Sequence, residues 1–191
     1  MIRPTPDELI SAEGRLIPEV IGPGVRYLFV GINPGLWSGA TGHHFARPGN
    51  RFWPTLHGAG LTPRLLAPDD DATLMALGIG ITNLVNRATA KASQVSDDEL
   101  RAGAARLRIT VERHRPMAVA VLGVSAYRVA FAHPAAAIGR VAEPLAGAQL
   151  WILPNPSGLN AHYQLPQLID LFGAFRESVA APAASAAIVA E

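Results

Sequence analysis

Four short apolar runs punctuate the chain: Tyr27–Val30, Ile79–Ile81, Ala118–Leu122 and Leu150–Leu153. Each has the length of a strand rather than a helix, and three are rich in β-branched or aromatic residues. The stretches between them carry helical signals. Ser96-Asp97-Asp98-Glu99 forms a capping box, which predicts a helix ending near Arg113-His114-Arg115, ahead of Pro116. Asn50 is placed to cap a short helix running through Phe52 and Leu56 to Gly58. Leu165, Leu168, Leu171, Phe172 and Phe175 recur at helical spacing between Gln164 and Ser178. Strands alternating with helices predict an α/β fold: three α/β/α layers around a mostly parallel central sheet of four to five strands.

A length of 191 residues suits one domain, and no internal repeat is visible. Residues 1–23, with Pro4, Pro6, Pro18 and Pro23, read as a loosely ordered arm. Residues 24–178 form the expected single domain, and the alanine-rich stretch 179–191 reads as a frayed tail. At 49% hydrophobic and 16% charged, the composition is that of a globular chain. The absence of cysteine excludes a disulfide scaffold, a thiolate zinc site, a cysteine-held iron–sulfur cluster and a cysteine nucleophile. No apolar run reaches membrane-spanning length, and the first residues lack a basic patch followed by a hydrophobic stretch. A soluble, cytoplasmic protein is expected. The net charge of +1, from 16 basic and 15 acidic residues, neither announces nor excludes a nucleic-acid partner. The skew of fifteen arginines to one lysine, Lys91, carries little weight alone.

The loops at the strand ends are more informative. The first strand leads into Gly31-Ile32-Asn33-Pro34-Gly35 and the second into Thr82-Asn83-Leu84-Val85-Asn86-Arg87. The third leads into Gly123-Val124-Ser125, and the fourth into Pro154-Asn155-Pro156-Ser157-Gly158-Leu159-Asn160. Ligands of an open parallel sheet bind beyond the carboxyl ends of its strands, so these loops should crowd one mouth.

Each candidate residue there has a plain reading beside its chemical one. Asn33 suits a Pro-Gly turn, yet its amide can also accept from a water and donate elsewhere, which suits holding a nucleophile in place. The glycines around it let backbone N–H groups approach a developing anion, although the pattern is no dinucleotide or Walker fingerprint. His43-His44 reads as a solvated loop better than as a metal site, since neither a cysteine pair nor an HExxH motif is present. Phe45 in that polar loop can stack on a planar ligand, while Phe52 and Trp53 read as core. Leu159, at a rigid loop tip, either tucks into the core or serves as a wedge in a base stack. Arg101, Arg106, Arg108, Arg113 and Arg115 spread around one helix and read as a solvated surface.

The order of these segments changes the balance. Gly-Ile-Asn-Pro-Gly-Leu, then Gly-His-His-Phe, Gly-Asn-Arg-Phe-Trp, Thr-Asn-Leu-Val-Asn-Arg and Asn-Pro-Ser-Gly-Leu closely resembles the mismatch-specific uracil/thymine DNA glycosylases, the second family of the uracil-DNA glycosylase superfamily. The resemblance covers residues 24–178. It implies an enzyme that flips a mispaired base from the duplex and hydrolyses the bond from sugar C1′ to base N1. By analogy Asn33 would position the water, and Phe45 would stack on the base. The backbone around Ile32 and Phe45 would bond the pyrimidine edge, with Gly35, Ser38, His44 and Asn50 lining the pocket. Leu159 would fill the hole in the duplex. Asn155, Pro156, Ser157, Gly158 and Asn160 would contact the widowed guanine or the neighbouring DNA backbone.

A monomer with no metal and no cofactor is expected, and the resemblance implies as partner duplex DNA carrying a G·U or G·T mismatch. Such a protein would sit on the nucleoid through its DNA. Flipping costs a few kcal/mol and is easiest for a mispaired base. Without a carboxylate in the Asn33 motif, general-base help of roughly 10²–10⁴-fold is missing, so slow chemistry is expected. Gly-His-His-aromatic resembles the thymine-processing branch and Ser38 the uracil-preferring one. Uracil opposite guanine is expected first, with thymine and exocyclic cytosine adducts weaker. Asn86 departs from relatives that carry an acid there. Three other readings stand beside this one: a non-catalytic mismatch- or nucleotide-binding module, a glycosylase for single-stranded uracil, and an unrelated phosphate-binding hydrolase.

Overall fold

A computed structural model describes residues 3–180. The sheet has five strands, β1 (Tyr27–Gly31), β2 (Ile79–Asn83), β3 (Ala118–Leu122), β4 (Gly139–Arg140) and β5 (Gln149–Leu153), in the order β2-β1-β3-β5-β4. All pairings are parallel except that of β4 with β5. This is the α/β architecture expected from the sequence, and each predicted strand appears in place.

Alternate residues of each strand face opposite layers. Phe29, Ala120 and Trp151 pack with Phe52, Leu74, Phe172 and Phe175, from helices α3 (Phe52–Gly58), α4 (Asp71–Ala76) and α7 (Leu165–Ala180). Leu28, Val119, Val121 and Ile152 pack instead with Leu100, Leu107, Val111 and Tyr127, from α5 (Asp97–His114) and α6 (Val124–Ala130). Because both faces are covered, the strands read as unbroken apolar runs rather than as alternation. The predicted capping box opens α5: Glu99 N donates to Ser96 Oγ and Ser96 N to Glu99 Oε2. Arg115 closes that helix in the left-handed conformation.

The arm is the correction. Residues 3–23 are not loose: α1 (Pro6–Ile10) starts at a Thr5–Glu8 capping box, and Ala12, Ile17 and Val20 are buried. Val20 exchanges backbone hydrogen bonds with Ile81, and Leu16 pairs with Arg87, so the segment runs along the free edge of β2. The prolines that suggested disorder only keep it from becoming regular. The tail from 181 onward lies outside the described residues, while 179–180 belong to α7.

Helices α3 and α4, which follow β1 and the short helix α2 (Leu36–Thr41), cover one face of the sheet, while α6, after β3, covers the other. The chain therefore leaves neighbouring strands β1 and β3 in opposite directions, which opens a crevice at their carboxyl ends.

Candidate active site

A cavity of about 310 Å³ occupies that crevice. Ile32, Asn33, Gly35, Ser38, His44, Phe45, Asn50, Asn155, Ser157 and Leu159 all line it, so ten of the thirteen candidate residues converge on one space. Pro156, Gly158 and Asn160 belong to the same loop without lining the cavity. A roomier cleft of about 580 Å³ lies beside α6, around Tyr127, Phe131 and Arg140, and holds none of them.

Asn33 is fixed by three hydrogen bonds, two of them to groups far from it in sequence. Its Nδ2 donates to Thr89 Oγ1 at 2.7 Å, to the Arg87 carbonyl at 3.3 Å and to the Pro34 carbonyl at 3.0 Å. Thr89 Oγ1 spends its own proton on the Lys91 carbonyl, so toward Asn33 it is an acceptor. Every partner therefore demands the NH₂ end of the amide. Oδ1 is left without a protein partner among the described residues, as an acceptor on a cavity wall.

The segment holding Asn33 is itself pinned. Leu84 N and Val85 N donate to the Gly31 and Ile32 carbonyls, and Thr89 N donates to that of Pro34. Arg87 grips Glu99 through Nε at 2.6 Å and Nη2 at 2.9 Å, holding that carboxyl down at about 2. The capped helix end thus anchors Arg87, whose carbonyl is one of the acceptors that orient the Asn33 amide.

Phe45 adopts a left-handed backbone with φ of 52°, which is unusual for a residue with a side chain. Its neighbours impose this: Ala46 N donates to Ser38 Oγ, and His44 Nε2 bonds the Pro18 carbonyl at 2.9 Å. The Phe45 ring stacks on Phe52 at 3.9 Å, so one face has a rigid backing while the residue lines the cavity. Neither the Phe45 nor the Ile32 backbone N–H donates to a protein group among the described residues. Gly31, below, has no room for a side chain, since a Cβ would overlap Asn83 Oδ1.

The histidine pair is not a solvated loop. His43 pairs with Asp71 at 2.8 Å, while His44 is only 2% exposed. Because the Pro18 carbonyl needs a proton from Nε2, Nδ1 is the acceptor for Asn83 Nδ2 at 3.4 Å, and the ring is neutral. Burial pushes its pKa below the ordinary 6.5, against the opposing pull of the Pro18 carbonyl and of Asp71 and Glu19. The unfolded chain then takes up this proton first, so stability present above pH 6.5 is lost as pH falls toward the folded value. Thermal unfolding between pH 7.5 and 5 should show the native protein losing up to about 1.4 kcal/mol per pH unit more than His44→Gln. Parallel curves would mean that His44 titrates normally.

The Pro154–Asn160 loop is stitched from within. Ser157 N donates to Asn155 Oδ1 at 3.0 Å, Asn160 Nδ2 to the Asn155 carbonyl at 2.9 Å, and His162 N to Asn160 Oδ1 at 3.1 Å. The Asn160 side chain is therefore occupied in holding loop shape. Gly158 lies against Gly49, where a Cβ would come within 2.5 Å of the carbonyl oxygen. At the tip Leu159 is 74% exposed, so the core reading of this side chain is wrong. Asn50 Oδ1 accepts from Phe52 N at 2.9 Å, but the N-cap of α3 is Arg51, so Asn50 closes a turn one residue ahead of the expected cap position. Phe52 and Trp53 are core, as expected.

A family model of the uracil DNA glycosylase superfamily matches residues 18–178. The chain belongs to the uracil DNA glycosylase superfamily. In fold it is similar to the solution NMR structure of a candidate uracil DNA glycosylase from Methanosarcina acetivorans, with a TM-score of 0.58 at 19% identity. That match covers 86% of this chain and 97% of the other.

On this superfamily scaffold, three residues join the site without having been assigned a role in it from sequence: Thr89, Asn83 and Arg51. Thr89 and Asn83 line the cavity, and Arg51 holds the Leu159 loop. Asn86 lies outside the Asn33 cavity, in a shallow pocket with Leu16 and Arg106, and its buried Oδ1 has no hydrogen-bond partner among the described residues. Among the described residues no carboxylate lines the Asn33 cavity, and exposed Arg47 and Lys91 stand at its rim.

Proposed function

We propose that this superfamily member is a monofunctional, mismatch-specific glycosylase that excises uracil paired with guanine in duplex DNA, with thymine and exocyclic cytosine adducts as slower substrates. One observation carries the reading: Leu159, exposed on a stitched loop, lines the same cavity as Asn33 and the backed Phe45 ring. A pocket for a free base or nucleotide has no use for a rigid apolar tip held in water at its mouth. A protein that opens a base stack does.

In the reaction, the base is drawn into the cavity against Phe45. Asn33 Oδ1 accepts a hydrogen bond from a water and aims its oxygen at C1′. The C1′–N1 bond breaks, and its electron pair passes into the pyrimidine, where charge builds on O2 and O4. The free N–H groups of Ile32 and Phe45 are the donors suited to that charge. The water oxygen bonds to C1′, one of its protons neutralises the departing base, and an abasic site remains. Asn33 orients the water but cannot remove its proton, so turnover is slow. The cations at the rim and the carboxylate-free lining suit a polyanionic strand.

The test is single-turnover release from one labelled strand, offered as G·U, G·T and A·U duplexes and as a single strand, with EDTA present. Fastest release from G·U, slower release from G·T and no effect of chelation are expected. A duplex that binds but loses no base would replace the enzyme with a binding module. Fastest release from the single strand would move the substrate there.

A further inference from the structure

Arg51 occupies an unusual place. It precedes α3, whose first residue, Phe52, backs the Phe45 ring. Its backbone N–H donates to the Pro156 carbonyl at 2.9 Å, and its guanidinium bonds the same loop further along. Nη2 donates to the carbonyls of Ser157 and Asn160, the latter at 2.9 Å, and Nη1 to that of Tyr163. No carboxylate pairs with this cation among the described residues, and its Nε is buried without a partner. All its side-chain bonds therefore serve one purpose, holding the backbone on both sides of Leu159. The planar fork makes this feasible, because its donors point in fixed and separate directions.

We propose that Arg51 is a positioning residue that locks the Leu159 wedge to the base platform, so that stack opening and base capture are set by a single helix end. This rests on the glycosylase reading. Phe52 and Arg51 are adjacent, so the covalent chain ties the ring behind the captured base to the clamp on the wedge loop. Gly158 against Gly49 closes the same joint from the other side, and a side chain at 158 would prise the loop away without touching the cation. Without the clamp, Leu159 keeps its exposure but loses its fixed height above the cavity.

The experiment is a double-mutant cycle on G·U release under single-turnover conditions, using the full chain and thermal unfolding as a folding control. Arg51→Met is expected to slow release about tenfold when Leu159 is present and to change it less than about twofold when Leu159 is already alanine. Arg51→Lys should recover only part of the loss, because one ammonium cannot span three carbonyls. Gly158→Ala should show the same dependence on Leu159, and it carries the test if Arg51→Met does not fold. Losses that multiply regardless of residue 159, or an unchanged rate in Arg51→Met, overturn the proposal. A native protein that releases no uracil overturns the glycosylase reading and this inference with it. An active native protein with multiplying losses overturns only the inference.

Discussion

Asn33→Ala is expected to slow single-turnover release of uracil from a G·U duplex by about 10²-fold or more, the scale on which a misplaced reacting atom costs rate. The structural reason is the orientation of the amide. Thr89 Oγ1 and the Arg87 and Pro34 carbonyls all require the nitrogen end, so the oxygen is the only part of Asn33 left for a ligand. Alanine removes that acceptor and leaves Thr89 Oγ1 without its donor. Affinity for the abasic product should fall far less, since the contacts made by the Leu159 loop and the rim cations survive. Thr89→Val supplies a second check. Without the hydroxyl one restraint on the amide is lost, so release should fall by an intermediate factor while Asn33 is still present. If Asn33→Ala releases uracil at the native rate, the water is held elsewhere and the mechanism is wrong.

The strands and the three principal helices could be read from sequence because each carries its own local signal. A doubly covered strand is a run of apolar residues, and α5 announces itself through Ser96 and Glu99. By contrast β4 is two residues, Gly139 and Arg140, held only by pairing with β5, and no hydrophobic pattern marks it. The arm misled because its prolines are local while its anchors, Ile81 and Arg87, lie more than sixty residues away. The same division holds in the cavity. Asn33 and Leu159 stand in distinctive turns, so the sequence alone singles them out as candidates. Thr89 and Arg51 act on groups remote in sequence, the Asn33 amide and the Asn160 carbonyl, and nothing beside them in the chain signals it. His44 looked solvated because its loop is polar. Its acceptor is the carbonyl of Pro18, in the very segment the sequence left unplaced.

Leu159→Ala should have the second largest effect, and a different signature. The side chain is 74% exposed, so truncating it removes almost no packing and the melting temperature should stay unchanged. Inserted into a duplex it would be buried among bases, and burying a leucine is worth about 1.5–3 kcal/mol, or roughly 10- to 150-fold in rate if the gain is realised on the way to the flipped state. The loss should appear in release from both G·U and A·U duplexes, because the wedge offsets lost stacking rather than lost pairing. A 2-aminopurine beside the target should report it directly: native protein brightens the probe by unstacking it, and Leu159→Ala brightens it less at equal occupancy. Equal rates and equal fluorescence would mean that Leu159 stays outside the helix. The exposed tip would then need another partner, and the duplex would have to open through the mismatch alone.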